Sequence, residues 1–234
     1  MNIGIIGAGR IGGNLVRLLT ARGHAVAIAN SRGPDTLADL AAETGAVASD
    51  LATVADGVDI AIVTIPQKFV ADLPSGVLDR RTPDAPVIDT GNYYPWARDG
   101  RIADGLIAEI EDGLTDSEWT ARQLGVPVVK AFNGILWSTL TRAARPAGAP
   151  DRIALPVAGD DPVAKAKVMA LIDDIGFDPV DAGTLAQSWR LHPGKPAYGA
   201  DADVAGLRAA LAAATPQRPR EWRAAGAPSD DRRS

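Results

Sequence analysis

Asn2-Ile3-Gly4-Ile5-Ile6-Gly7-Ala8-Gly9-Arg10-Ile11-Gly12, at the start of the chain, is the stretch on which the fold reading rests. Asn2 to Ile6 has the length and apolar content of a buried strand, and Ile11 to Arg22 carries Leu15, Leu18 and Leu19 on one helical face. Between them, Gly7, Gly9 and Gly12 hold G-x-G-x-x-G spacing. In a strand–turn–helix context the three glycines serve different ends. The first permits the tight turn, the second lets backbone approach a pyrophosphate, and the third lets helix and strand pack closely. Free amides and the positive dipole end at the helix start attract the anion. Gly7, Gly9, Arg10, Ile11 and Gly12 are therefore the expected cofactor-binding positions of this turn.

Gly23 is placed to end the helix, and His24 to Ala29 reads as the second strand. Its end is where a dinucleotide fold chooses between cofactors. Proteins selective for NAD usually carry Asp or Glu there for the ribose 2′-hydroxyl. This chain has Asn30-Ser31-Arg32-Gly33. A carboxylate would repel a 2′-phosphate, whereas a hydroxyl and a guanidinium form charge-assisted hydrogen bonds to one. Ser31 and Arg32 are the expected 2′-phosphate ligands and NADP(H) the expected cofactor; an ordinary polar turn is the plain alternative.

Farther along, apolar runs alternate with amphipathic ones, the rhythm of βα units and a mostly parallel sheet. Thr36 to Thr44 reads as a helix, Ala46 to Ala48 as a short strand, Leu51 to Asp56 as a brief helix and Val58 to Ile65 as a strand buried on both faces. Ala85 to Asp89 and Val126 to Ala131 are further strands. The polar connection between them, with Tyr93, Tyr94, Trp96 and Trp119, is long enough that it should cover or line a site. Arg145 to Pro150 reads as a joint. Beyond it lie a strand (Ile153 to Ala158), a helix (Pro162 to Ile175), a strand (Phe177 to Asp181) and an alanine-rich helix (Ala202 to Ala214). The expected organisation is an α/β, doubly wound Rossmann sheet over residues 1–145, a small C-terminal α/β unit over 151–214, and a disordered tail over 215–234.

Composition narrows the function. A formal net charge of −5 with scattered basic residues leaves no footprint for nucleic acid or anionic lipid. With no cysteine, disulfides, thiolate catalysis and cysteine-based metal sites are excluded, and His24 and His192 lack metal-ligand spacing. Met1 leads into the first strand without the pattern of a secretory signal, and no apolar run approaches the ~20 residues of a membrane helix. The expectation is a cytoplasmic protein without a metal, with a homodimer plausible from the apolar latter half.

The glycine turn, Asn30-Ser31-Arg32, Thr64-Ile65-Pro66 at a strand end, Asp89-Thr90-Gly91-Asn92 and Val129-Lys130-Ala131-Phe132-Asn133 together resemble the NADPH-dependent coenzyme F420 reductase family, over about residues 1–185. That family in turn looks like the nucleotide domains of pyrroline-carboxylate reductases and membrane ferric reductases. The resemblance implies direct hydride transfer between nicotinamide and a stacked deazaflavin. It also implies Ser31 and Arg32 on the 2′-phosphate, Ile65 and Pro66 as wall of the nicotinamide pocket, and Asn133 near the reacting rings. This sequence departs from the family in two places. Gly33, Pro34, Asp35 and Thr36 follow the arginine where another basic residue is common, and Thr184 to Pro196 differs from the usual continuation in the segment expected to face the second substrate.

Lys130, Asn92 and Asn133 follow strand ends, where open α/β sheets bind ligands. Lys130 reads equally as a solvated charge, Asn92 as a turn residue and Asn133 as a helix N-cap. The five tryptophans, all in the latter part of the chain, could wall a planar substrate, with core packing the default. His192, beside Arg190 and Lys195, could protonate or bind an anionic substrate, or sit in a surface loop. Besides hydride transfer to coenzyme F420, the sequence admits an NADPH-dependent reductase of a small imine, carbonyl or alkene, and a non-catalytic NADPH-binding sensor.

Overall fold

The computed structural model describes residues 1–95, 99 and 106–224. Six parallel strands, β1 (Asn2–Ile6), β2 (Ala25–Ala29), β3 (Val47–Ala48), β4 (Ile60–Val63), β5 (Val87–Asp89) and β6 (Val128–Lys130), form one sheet in the order β3-β2-β1-β4-β5-β6. That order is the doubly wound arrangement, with its reversal between β1 and β4. α1 (Arg10–Ala21) links β1 to β2; α2 (Ala38–Thr44), entered through a 3-10 turn over Pro34–Leu37, leads to β3. α3 (Leu106–Glu111) and α4 (Asp116–Leu124) lie between β5 and β6, and α5 (Trp137–Arg142) follows β6.

The period of two along each strand divides the core into two layers. Ile3, Ile5, Ile60, Ile62, Ile88 and Val129 face one side, where α1 lays down Leu15, Val16 and Leu19. Ile6, Ala61, Val63, Val87 and Val128 face the other, covered by Val54, Ala55, Val58, Val77 and Leu78. Each fully buried Val, Leu or Ile among them contributes roughly 1.5–3 kcal/mol of transfer free energy.

Three elements differ from the sequence reading. Leu51 to Asp56 is a series of turns and not a helix, although Val54 and Ala55 still cover the sheet. The helix read from Thr36 divides into the 3-10 turn and α2, since Pro34 and the positive φ of Gly33 (87°) set the entry. The connection after β5 is helical where polarity concealed it. Thr115 Oγ1 accepts from the Glu118 amide (3.1 Å), Glu118 Oε2 accepts from the Thr115 amide (2.9 Å), and Gly125 closes α4 in the left-handed conformation. Trp119 is packed with Val70, Tyr93 and Ile110 beneath it. Trp96 lies outside the described residues.

After the joint, β7 (Ala154–Val157), α6 (Pro162–Asp174), β8 (Asp178–Asp181) and α7 (Val204–Ala213) follow, with β7 and β8 parallel to each other. α6 is capped by Asp161, whose carboxylate accepts from the Val163 amide (2.8 Å), with Pro162 at its first turn. The chain beyond β7 runs antiparallel to β6: the Lys130 amide donates to the Ala158 carbonyl (2.8 Å) and the Ala158 amide to the Lys130 carbonyl (3.0 Å). Leu155, Val157, Leu171, Ile172 and Phe177 belong to the same apolar cluster as Ile3 and Leu15. Of the expected tail, residues 215–224 pack onto the body, with Trp222 against Tyr94 and Ala224 buried; residues 225–234 lie outside the described residues. Among the described residues no helix is long and apolar enough to cross a membrane.

Candidate active site

The glycine turn closes β1 onto α1. Gly7 has φ 114°, and a Cβ there would lie 2.3 Å from the Thr64 carbonyl oxygen. A Cβ on Gly12 would lie 2.0 Å from the Gly7 oxygen, whereas one on Gly9 would meet nothing within 4 Å. The first and third positions are thus packed against protein and the second faces open space, as backbone approached by a ligand should. Gly9 is the N-cap of α1 and supplies no side-chain partner, so the first amides of the helix are unclaimed by a cap. Arg10 and Ile11 stand at this opening, with the Arg10 guanidinium over the Trp137 ring, 5.0 Å from its centroid. Asn14 Nδ2 donates to the Trp137 carbonyl (2.8 Å), which fixes the start of α5 against α1.

At the end of β2, Asn30 Oδ1 accepts from the Arg32 amide (2.8 Å) and Asn30 Nδ2 donates to Thr36 Oγ1 (2.9 Å). The side chain that could have carried the acid thus shapes the turn. Ser31 and Arg32 are exposed. Arg32 lines a cleft with Gly9, Arg10, Gly13, Arg17 and Leu37. Arg17 is held by Glu43 (2.6 Å), so Arg10 and Arg32 are the guanidiniums of this cleft without a carboxylate partner among the described residues.

A second hollow of about 350 Å³ continues from Gly9, Arg10 and Ile11 across the ends of β4, β5 and β6. Ile65, Pro66, Asn92 and Asn133 are among the residues that line it. Asn92 Nδ2 donates to the Asn133 carbonyl (2.9 Å), and Asn133 Nδ2 donates to Asn92 Oδ1 (3.0 Å) and to the Leu191 carbonyl (2.7 Å). Asn133 Oδ1 is buried and has no hydrogen-bond partner among the described residues. Asn133 is not a helix cap, since α5 begins after Leu136. The exchange between the two asparagines depends on Phe132, which adopts φ 61°. A buried aromatic residue in the left-handed region is rare and costs of order 1–3 kcal/mol, a local strain that sites tolerate where geometry is over-determined.

Lys130 corrects the sequence reading. Its side chain is fully buried, and Nζ donates to Asp89 Oδ2 (3.2 Å) and to the Gly91 carbonyl (2.5 Å). Asp89 also accepts from the Gly91 amide (2.8 Å) and Ser117 Oγ (2.6 Å). Lys130 is neither a solvated charge nor part of the hollow's lining. A buried ammonium requires a paired carboxylate, and here that pair holds the Thr90–Asn92 turn in place.

His192 also departs from expectation. Its Nε2 pairs with Asp116 Oδ1, and Asp116 Oδ2 accepts from the Tyr93 amide (3.0 Å). Burial opposes the charge on Asp116, yet His192 and Lys130 outweigh it and hold the carboxyl below the usual range. Burial is the main influence on His192 and lowers it against the pull of Asp116. With Trp189, Lys195 and Arg218, His192 lines a separate cavity of about 260 Å³ and not the hollow at the strand ends. What the C-terminal part contributes to the hollow is Tyr198, two residues past the Thr184–Pro196 segment expected to do so. Its hydroxyl is in hydrogen-bond contact with that of Tyr94. Tyr198 carried no sequence signal of a site; Phe132 was legible only as a member of the Val129–Asn133 run, and Tyr94 only as a member of the long connection.

Residues 2–93 match the family described as NADP oxidoreductase, coenzyme F420-dependent. The hypothetical protein SMa0349 from Sinorhizobium meliloti is 30% identical, over 85% of this chain and 93% of that one, with a TM-score of 0.68. A protein named as an F420-dependent NADP reductase from Arthrobacter sp. FB24 is 21% identical over 80% of this chain and 87% of that one, with a TM-score of 0.61, a likeness of fold. Protein YjhV of Escherichia coli is 47% identical over 60 residues, which are 26% of this chain and 44% of that curated relative's length.

Proposed function

Since this chain belongs to the family of NADP oxidoreductases described as coenzyme F420-dependent, whose members are NAD(P)-dependent oxidoreductases, we propose that it selects NADP(H) and exchanges hydride with a planar acceptor, coenzyme F420. The observation that carries the reading is the pair of guanidiniums without carboxylate partners among the described residues, Arg10 at the glycine turn and Arg32 at the end of β2, joined by a cleft, with Asn30 in the place of an acid. The open space over Gly9 fits a pyrophosphate, and Ser31 and Arg32 fit the additional phosphate. When bound, the nicotinamide supplies or receives the hydride. Ile65 and Pro66 keep water from one wall of the hollow, and Asn133 Oδ1 offers an acceptor to a ring carboxamide. Hydride exchange between stacked rings depends on orientation and exclusion of water, which such walls provide.

Calorimetry with Arg32→Ala tests the reading. NADPH affinity should fall by about 2 kcal/mol, as for a lost charge-assisted bond, while NADH affinity changes little. Equal losses for both cofactors would remove the specificity argument. Tight NADPH binding without oxidation by coenzyme F420 or any other acceptor would favour a sensor.

A further inference from the structure

Tyr94 follows β5 and Tyr198 precedes α7, yet their hydroxyls meet in the hollow. Both are held from behind. The Gly199 amide donates to the Gly134 carbonyl (2.7 Å), the Tyr198 amide to the Lys195 carbonyl (3.0 Å), and Lys195 Nζ to the Thr215 carbonyl (2.6 Å). The Tyr94 ring lies against Trp222, with centroids 5.9 Å apart. Each tyrosine remains partly exposed, so water can reach the pair.

A hydride placed on carbon of a polarised double bond leaves the product one proton short. Among the described residues lining the hollow there is no His, Asp, Glu or Lys. Thr90 Oγ1 is directed to the Val63 carbonyl (3.4 Å), and an aliphatic hydroxyl is a poor acid. A phenol is protonated at neutral pH and can deliver its proton. One hydrogen bond between two phenols uses one of their two hydrogens, and the phenol that accepts keeps its own for a ligand.

We propose that Tyr198 is the proton donor of a proton-coupled hydride transfer, with Tyr94 a positioning residue that donates to Tyr198 Oη. The acceptor is then a compound whose hydride-receiving carbon is doubly bonded to, or conjugated with, nitrogen or oxygen. This rests on the reading of the hollow as the place of a reduced nicotinamide. Hydride forms the new C–H bond, the π pair moves to the heteroatom, and the heteroatom takes the Tyr198 proton. The tyrosinate left behind is stabilised by the Tyr94 hydroxyl and regains a proton from water. The sum is one hydride and one proton added to the acceptor, with the nicotinamide oxidised by two electrons.

The test uses the full chain with coenzyme F420 and the cyclic imine 2-methyl-1-pyrroline as probes, in parent, Y198F and Y94F proteins. NADPH binding is read first by calorimetry, and its absence in the parent overturns the reading beneath the proposal. The expected result is unchanged NADPH affinity in Y198F, with kcat lowered about 100-fold or more and the solvent deuterium isotope effect on kcat lost. Y94F should lower kcat about tenfold with KM little moved. Without cofactor, the tyrosine Raman doublet should report a phenol accepting a strong hydrogen bond in the parent, and Y94F should abolish it. Normal NADPH binding with full turnover and an intact isotope effect in Y198F overturns the proton donor alone. An unaltered Raman doublet in Y94F overturns the pair, and NADPH binding without reduction of either probe overturns both readings.

Discussion

Asp116 and His192 show how a buried pair turns local contacts into a response to pH. Both titrate lower in the folded chain than in the unfolded one, Asp116 through His192 and Lys130 against its burial, His192 through burial. On acidification the unfolded state therefore takes up protons first, and stability falls as pH falls. The contribution is complete above the ordinary histidine value of about 6.5, declines below it, and declines again below the ordinary aspartate value of about 4. Melting temperature followed from about pH 8 to pH 4 should drop through both ranges, and His192→Gln, which keeps a donor toward Asp116 without titrating, should flatten the upper one. A parent curve level from about pH 8 to 5 would argue against a neutral buried imidazole. Single residues were also where sequence reasoning was least secure. Lys130 and His192 both looked accessible because charged and polar residues usually are, and nothing local announces that Asp89 or Asp116, distant in sequence, will be their partners.

The β1–turn–α1 unit was legible because its requirements are local: an apolar run, three glycines at fixed spacing and an amphipathic helix within the first 22 residues. Its glycines predict separable defects. Gly12→Ala brings a Cβ to 2.0 Å from the Gly7 oxygen, so α1 must shift from β1, and denaturant unfolding should show a loss of about 1–3 kcal/mol. Gly9 is extended, with φ −74°, and a Cβ there meets no atom. Gly9→Ala should leave stability within about 0.5 kcal/mol of the parent. NADPH affinity should nevertheless fall at least about tenfold, roughly 1.4 kcal/mol, because the methyl group occupies ligand space. If Gly9→Ala binds NADPH normally, the pyrophosphate does not lie over that turn. By contrast α4 was missed although its capping box, Thr115 to Glu118, and its closing Gly125 are written in the sequence. Its apolar face is narrow, and the periodicity that disclosed α1 is weak there. Asn92 and Asn133 were found from their places after strand ends, but their exchange of hydrogen bonds depends on the backbone reversal at Phe132.

Across the whole chain, the apolar layer under α1 extends without interruption into α6 and Phe177, so the two halves read from the sequence share one interior. Phe177→Ala should therefore cost about 3–5 kcal/mol and lower the stability of the entire molecule. Urea unfolding followed by tryptophan fluorescence and by far-ultraviolet circular dichroism should give coincident transitions in parent and variant. Two separated transitions would show that the C-terminal elements unfold by themselves. The antiparallel bridge between Lys130 and Ala158 has a consequence of another kind. It engages the Lys130 amide and carbonyl on the outer margin of β6, and the separate two-stranded sheet that leads into Ala158 carries β8, which reads Asp178-Pro179-Val180-Asp181. Proline withholds a donor, and the two acids hold Arg152 and Lys165 beside the strand, while the far margin of the six-stranded sheet is the two-residue β3. A two-residue margin, a bridged one and a strand interrupted by proline are each a poor template for the addition of foreign strands, which disfavours fibrous self-association.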